Sequence, residues 1–168
     1  MREIFRYYLE IKNINDLHEV NIKSQNQIIK LVDPIDFNLN KFFYKQIGKE
    51  HRWLDRLSWN DQSWINYLKN ESVQTYVQME NNNLVGFFEI IFDNGSKDTE
   101  IAYFGILREF REKGYGGNLL SYAIKLGFNK GSKKVWVHTC SLDHKNALQN
   151  YKSRGMKVFR KEKIKIPA

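Results

Sequence analysis

A glycine-rich turn at residues 111–117 carries the clearest chemistry in the chain. It reads Arg-Glu-Lys-Gly-Tyr-Gly-Gly, follows an apolar strand-like stretch at 101–107, and leads into an apolar helical pattern. Glycines let a backbone approach a ligand closely. The first N–H groups of a helix have no acceptor within the helix and lie at the positive end of its dipole. The pattern therefore predicts a phosphate-binding turn, with Arg111 and Lys113 adding positive charge.

The spacing of the glycines excludes two common phosphate motifs. The Walker pattern is absent because Asn118 and Leu119 follow the last glycine, and the dinucleotide pattern fails because Leu119 stands where its third glycine belongs. The remaining pattern, Arg-x-x-Gly-x-Gly after a strand, resembles the coenzyme A (CoA) pyrophosphate motif of the GNAT superfamily of N-acetyltransferases. The resemblance implies an acetyl-CoA site that includes Ile106, Leu107, Arg111, Glu112, Lys113, Gly114, Tyr115, Gly116, Gly117, Asn118 and Asn146.

A second motif supports the same resemblance. Ala147, Tyr151 and Gly155 fit the carboxy-terminal signature of the family, whereas His144 and Met156 stand where many members have Asn and Phe. The resemblance extends over 71–165 and is loose over 1–70. It implies a mixed, mostly antiparallel sheet flanked by helices in one domain that spans 1–168, and N-acetyl transfer from acetyl-CoA as the activity.

Two carboxylates in apolar strands are candidates for the base that deprotonates an acceptor amine. Glu100 lies eleven residues before Arg111, which matches the general base of the histone-acetyltransferase branch. Glu89 is more enclosed by apolar sequence, and burial raises a carboxyl pKa. A two-residue Asn94-Gly95 turn would pair the two carboxylates directly, whereas a longer loop with an even index sum would place them on opposite faces.

The remaining chemical roles follow from the resemblance. Tyr151 matches the family tyrosine that protonates the departing thiolate, and its ordinary pKa of about 10 suits that role. A backbone N–H near Ile106 or Leu107, freed by a strand bulge, would stabilise the oxyanion. Gly105 fits either such a kink or simple packing.

Two other groups of residues invite a chemical interpretation. The set His138, Cys140, Asp143 and His144 lacks the spacing of a Cys-His hydrolase or of a closed metal site. Core packing or cleft lining is therefore favoured, with Asp143 as a helix N-cap. An aromatic and cationic set could line an acceptor pocket or pack in the core, and consists of His51, Arg52, Trp53, Arg56, Trp59 and Trp64.

The elements that position these residues follow from periodicity and turn residues. Strands are predicted at 2–12, 72–80, 84–92, 99–107, 133–140 and 156–165, and helices at 36–48, 61–70, from Gly114 to near Gly131, and from Asp143 to Gly155. Asn60 or Asp61 is the predicted N-cap of the second helix. Residues 13–35 have no clear pattern apart from a turn at Asp33-Pro34.

Composition narrows the class of protein. The 168 residues are 42% hydrophobic with one cysteine, which argues against disorder and excludes an internal disulfide. No signal peptide or membrane-length apolar run is present, so a cytoplasmic protein is expected. The net charge of +8 is concentrated after residue 104, where 15 Lys and Arg face 4 Asp and Glu. That charge suits CoA phosphates, and no metal or nucleic acid is expected as a partner.

The function predicted from the sequence is acetyl transfer from acetyl-CoA to a small-molecule or peptide amine, by direct attack in a ternary complex. A non-catalytic GNAT-like domain that senses CoA is the alternative. The acceptor and the oligomeric state stay open, and a homodimer is possible.

Overall fold

The protein is described by a computed structural model that covers all 168 residues. Its strands are β1 (Arg2–Ile11), β2 (Gln27–Leu31), β3 (Val73–Glu80), β4 (Asn83–Asp93), β5 (Asp98–Ile106), β6 (Lys134–Cys140) and β7 (Lys157–Ile166). Its α-helices are α1 (Phe37–Gly48), α2 (Asp61–Leu68), α3 (Tyr115–Asn129) and α4 (Ala147–Ser153), and short 3₁₀ turns cover Ile14–Asp16 and Arg108–Phe110.

The seven strands form one sheet in the order β2-β3-β4-β5-β6-β1-β7. Every neighbouring pair is antiparallel except β5 and β6, which run parallel and are connected by α3. A parallel pair needs such a crossover, whereas antiparallel neighbours can be joined by short turns. The structure is thus a single α/β domain with a mostly antiparallel sheet, which confirms the predicted fold class.

Helices cover the two faces of the sheet. On one face, α3 and α4 pack over a core that includes Leu120, Ile124 and Val135. On the other face, α1 packs Phe43 and Ile47 against Val77 and Phe87. None of the helices has both the length and the apolar character that crossing a lipid bilayer requires.

Local side-chain chemistry fixes where the first two helices begin. The carboxylate of Asp36 accepts from the Leu39 N–H at 3.0 Å, and the Asn60 side chain accepts from the Ser63 N–H at 2.8 Å. Asn60 is therefore the N-cap of α2, one of the two predicted. Helix α3 begins without any side-chain cap, which leaves its first N–H groups open.

Two elements differ from their predictions. Strand β2 lies within the unassigned region 13–35, and it forms because residues 27–31 pair with β3 at the sheet edge. Helix α4 spans only Ala147–Ser153, with Asn146 rather than Asp143 at its N-cap position. The Asp143 carboxylate instead accepts from the Cys140 N–H, so it closes the turn before the helix.

The β4–β5 hairpin also has a different register from the one that a two-residue turn predicts. Asp93 pairs with Asp98, so four residues form the loop, and an irregularity lies between Glu89 and Ile90. Glu89 pairs with Tyr103 and Ile91 pairs with Glu100. The two carboxylates are consequently diagonal neighbours rather than a direct pair.

Candidate active site

A cleft opens where β5 and β6 separate. The two strands pair only over Asp98–Ile101 and Lys134–Val137, and beyond these residues they diverge. The space between them belongs to a cavity of about 850 Å³. Its lining comes from β5, the turn before α3, helix α4 and the loop between α1 and α2. The glycine turn, the carboxy-terminal motif and the strand that carries Glu100 therefore meet at one cavity.

The backbone of β5 offers hydrogen-bonding groups to this cleft. The Leu107 N–H donates to the Val85 carbonyl at 2.8 Å. Because successive residues of an antiparallel strand point their N–H groups to opposite sides, the Ile106 N–H points away from β4 and toward the cleft. Ile106 is therefore the available donor, and the expectation for Leu107 is corrected because its N–H is already bonded.

Of the two roles left open for Gly105, a strand kink or simple packing, the structure supports packing. The irregularity in the β4–β5 ladder lies near Ala102, between the pairs of Tyr103 and Ile101. A Cβ at position 105 would lie 2.8 Å from two methyl carbons of Ile47. Gly105 is therefore a packing glycine that lets α1 approach the sheet.

The turn before α3 presents unbonded backbone donors. The N–H groups of residues 112–117 have no acceptor within the protein. Glu112 at φ 62° and Gly114 at φ 89° have left-handed backbones, an alternation that turns successive N–H groups toward a common point. A Cβ at Gly116 would meet only Asn150 and Ile106 at 3.5 and 3.8 Å. The glycine thus keeps open a space that a methyl group would fill.

The residues predicted to bind the cofactor divide into two groups. Those that line the cavity are Ile106, Arg111, Glu112, Gly114, Gly116, Gly117 and Asn146, whereas Leu107, Lys113, Tyr115 and Asn118 do not. The Tyr115 ring packs edge-on against Phe110. The Asn118 amide oxygen accepts from the Ile22 N–H at 3.4 Å, so this side chain supports the loop after β1.

Arg111 shapes the turn through its side chain. Its Nε donates to the Ile106 carbonyl at 3.0 Å, and its Nη1 forms a 2.9 Å ion pair with Glu50. These contacts join the turn to the end of β5 and to the end of α1. Arg111 is therefore a support for the phosphate-type turn, and its charge is already compensated.

Arg154 is a site residue that sequence reasoning missed. Its guanidinium lies so close to Gly117 that a Cβ there would collide with it, and its Nη1 donates to the Asn150 side-chain oxygen at 3.4 Å. No carboxylate pairs with it, and burial lowers its pKa. A cation without a counterion beside open backbone N–H groups suits a phosphate. Its position directly before Gly155 in the carboxy-terminal motif was the available signal.

The two candidate bases have different surroundings. Glu100 is partly exposed, lines the cavity, and has a pKa raised by burial and then by the charge of Glu89. Glu89 is 0% exposed, does not line the cavity, and forms a 2.9 Å ion pair with Arg56. Burial raises the pKa of Glu89 while Arg56 opposes the rise. Of the two, Glu100 is the one that a substrate can reach.

Tyr151, on α4, also lines the cavity. It is 5% exposed, its ring packs edge-on against Phe104, and its hydroxyl is not engaged by another side chain. Burial, with a smaller contribution from Asp143, raises its pKa above the ordinary value. The phenol therefore stays protonated over the neutral range, as a proton donor must.

The His138, Cys140, Asp143 and His144 set does not converge on one point. Asp143 accepts from the Thr139 hydroxyl, the Cys140 N–H and the Trp53 indole N–H, which uses its oxygens structurally. No group of three or more His, Cys, Asp and Glu side chains in the structure is placed to hold a metal ion. All four residues line the cavity.

The aromatic and cationic set divides between cavity and core. His51, Arg52, Trp53 and Arg56 line the cavity, whereas Trp59 and Trp64 do not. Trp64 is 1% exposed and belongs to the core. The core interpretation therefore holds for Trp64, and an acceptor role for the four cavity-lining residues stays a prediction. Around the buried Arg56, the nearest ring centroids are those of Tyr67 at 4.2 Å, Tyr103 at 4.4 Å and Trp59 at 4.7 Å.

The sheet is mostly antiparallel and opens between two parallel strands, beside a glycine turn at the start of a helix. This combination defines a class of acyltransferases. Residues 38–156 match the family model described as "Acetyltransferase (GNAT) family". The chain belongs to this family. The match begins well before residue 71, so it includes α1 and α2, which the sequence motifs alone had left loosely assigned.

Solved structures share the fold at low sequence identity. A GCN5-related N-acetyltransferase from Sphaerobacter thermophilus is 14% identical with a TM-score of 0.71, over 96% of this chain and 50% of that one. Another from Kribbella flavida is 17% identical with a TM-score of 0.63, over 92% and 55%. An aminoglycoside acetyltransferase from an uncultured soil metagenomic sample is 16% identical with a TM-score of 0.65, over 78% and 88%.

The chain spans about half the length of the first two of these structures. No curated protein matches the sequence significantly. At these identities, the solved structures establish the fold.

Proposed function

We propose that the protein transfers the acetyl group of acetyl-CoA to a primary amine by direct attack in a ternary complex. The observation that carries the proposal is the position of the unbonded N–H groups of residues 112–117. They open α3 beside the same cavity that Glu100 and Tyr151 line. A phosphate site and two proton-transfer groups on one cavity fit a CoA thioester and an amine acceptor.

Acetyl-CoA is bound by backbone N–H groups and by one cation, Arg154, that has no counterion in the protein. The pyrophosphate accepts hydrogen bonds from the turn before α3, where the helix dipole adds positive potential. Arg154 supplies a full charge next to Gly117. The pantetheine lies along β5, whose edge toward β6 is unpaired after Ile101. Arg111 and Asn118 act indirectly, because their side chains hold the turn and the neighbouring loop in place.

The chemical step needs a base, an oxyanion donor and an acid. Glu100 accepts a proton from the acceptor ammonium, and the freed nitrogen forms a bond to the thioester carbonyl carbon. The Ile106 N–H donates to the oxygen as negative charge develops on it. The carbon–sulfur bond then breaks, and Tyr151 donates its proton to the departing thiolate. The nitrogen loses its second proton, which restores the Tyr151 phenol by way of solvent, and Glu100 releases its proton to solvent. The products are an N-acetylated amine and CoA.

A binding and turnover experiment separates this function from its alternatives. Acetyl-CoA affinity is measured by calorimetry, and release of CoA thiol is followed with a panel of alkylamines, peptides and aminoglycosides. The proposal expects micromolar-range binding, amine-dependent thiol release and loss of the acidic limb of the pH–rate profile in Glu100→Gln. Binding without turnover on any amine would favour a CoA-sensing domain, and absence of binding would refute the assigned site.

A further inference from the structure

Two buried charges beside Glu100 have no part in the reaction steps above. Arg56 and Glu89 are 7% and 0% exposed, and Nη1 of Arg56 lies 3.1 and 2.9 Å from the two carboxylate oxygens of Glu89. Tyr67 and Tyr103 stack on the guanidinium from α2 and β5. Burying an ion pair costs desolvation free energy that the pair interaction only partly returns. Arg56 lines the cavity and Glu89 lies behind it, so the position of this pair calls for a functional reason.

The register of the hairpin places this pair next to Glu100. Glu89 pairs with Tyr103 and Ile91 pairs with Glu100, so Glu89 and Glu100 are diagonal neighbours across the two strands. Such neighbours have side chains on one face and Cβ atoms about 7–8 Å apart. The pair and Glu100 thus occupy the face of the sheet that meets α2 and the loop before it.

The Glu100 carboxylate itself makes no ion pair, so its proton affinity depends on its surroundings. Burial raises its pKa most, and the charge of Glu89 raises it further. Other charged or titratable groups on this half of the cavity are Arg52, Asp55 and Arg56 from the loop before α2, Tyr67 from α2, Tyr103 from β5, His138 from β6 and Arg6 from β1. Arg6 pairs with Glu162, and Arg52 donates to the Pro167 carbonyl.

We propose that Glu89 is a positioning residue for the reaction, fixed by Arg56, which acts on the Glu100 carboxylate through space and never touches the substrate. This inference rests on the proposed function. A carboxylate of ordinary pKa is a weak base toward an ammonium ion. A neighbouring fixed negative charge strengthens it toward the operating pH, where general bases are most effective. Arg56 opposes the rise that burial causes in the pKa of Glu89, and its 2.9 Å ion pair is the partner that an ionised buried carboxylate requires.

Glu89→Gln tests the inference because it keeps the size of the side chain and removes its charge. Carbon-13 NMR titration of the Glu100 carboxyl, assigned by its loss in Glu100→Gln, measures the pKa without any turnover. We expect a decrease on the order of one pH unit, from a unit charge at about 7–8 Å and an effective dielectric constant near 20. The acidic limb of the kcat/KM profile should move to lower pH by the same amount.

Two further variants serve as controls. Glu89→Asp retains the charge, so the Glu100 pKa should stay close to that of the wild type. The double variant Arg56→Gln with Glu89→Gln removes both charges, so its Glu100 pKa should lie between those of the wild type and Glu89→Gln. The double variant also replaces the single one if the unpaired Arg56 prevents folding, because removing both partners is tolerated better than removing one.

The outcomes are distinct. An unchanged Glu100 pKa in folded Glu89→Gln, or in the double variant if that alone folds, would overturn the inference. Loss of the acidic limb in Glu89→Gln, with the limb retained in Glu100→Gln, would make Glu89 the base itself. Absence of amine-dependent turnover by the wild type would refute the proposed function, while the NMR titration would still decide the effect of Glu89 on Glu100.

Discussion

The guanidinium of Arg154 lies against the backbone of Gly117, closer than any side chain at position 117 would allow. Helix α4 thereby places a cation over the first turn of α3. There the N–H groups of Tyr115, Gly116 and Gly117 have no acceptor in the protein. The two helices come from different sequence motifs, and the proposed phosphate site lies where they meet. This relationship leads directly to a binding test.

Arg154→Gln should weaken acetyl-CoA binding by about 10- to 150-fold, since a charge-assisted contact to a phosphate contributes about 1.5–3 kcal/mol. The salt dependence of the dissociation constant should also become shallower. Lys152→Gln is a matched control, because Lys152 is an exposed cation of the same helix that does not line the cavity. Equal effects of the two variants on the dissociation constant in calorimetry would show that acetyl-CoA binding responds only to the overall positive charge and that Arg154 makes no specific contact.

Gly116→Val should reduce acetyl-CoA affinity by on the order of tenfold or more, an increase of about 1.4 kcal/mol in binding free energy. A Cβ at this position has room within the protein, since its nearest neighbours are 3.5 and 3.8 Å away. The added methyl groups would instead block the approach of a ligand to the backbone. Calorimetry measures the loss of acetyl-CoA affinity, and thermal melting shows whether the variant folds normally. Wild-type affinity in a normally folded variant would contradict the placement of the pyrophosphate.

Tyr151→Phe should lower kcat by about 10²–10⁴-fold, the usual contribution of general acid catalysis, and leave the dissociation constant of acetyl-CoA nearly unchanged. The variant preserves the packing against Phe104 and removes only the hydroxyl. Tyr122→Phe, on the outer part of α3 and away from the cavity, is the control. If kcat stays near the wild-type value while chemistry is rate-limiting, Tyr151 is a packing residue.

Gly105→Ala should destabilise the fold by about 1–3 kcal/mol, the usual cost of overpacking a core. The reason is the 2.8 Å approach of the new Cβ to two methyl carbons of Ile47. In a double-mutant cycle measured by urea unfolding, Ile47→Ala should relieve most of the cost of Gly105→Ala. Additive effects of the two substitutions would mean that Gly105 is required for its backbone conformation rather than for packing.

The sequence predicted those parts of the site that depend on local pattern. The turn at 111–117 and Tyr151 each belong to a continuous motif, and strand–turn–helix signals set their surroundings. The family and the fold class could be predicted in the same way, from the motifs together with the order of strands and helices. Strand β2 was not predicted, because residues 27–31 are stabilised by pairing with β3 at the sheet edge and have no clear strand pattern of their own.

The parts that escaped prediction depend on contacts between distant segments. The relation of Glu89 to Glu100 depends on a four-residue loop and an irregularity near Ala102, neither of which a hairpin signal specifies. The ion pair with Arg56 spans 33 positions. Arg154 reaches Gly117 only because α4 packs beside the start of α3. Long-range register and packing decided these features, and single-segment patterns contain no information on them.

The central claim is that acetyl-CoA and the amine react directly while both occupy this one cleft. Initial rates measured while both concentrations are varied, with the N-acetylated product identified by mass spectrometry, test it most directly. Direct attack predicts double-reciprocal lines that intersect, and an undiminished rate in Cys140→Ala. Parallel lines, together with loss of turnover in Cys140→Ala, would show an acetylated-enzyme intermediate on the cysteine that lines the cavity and would contradict the account.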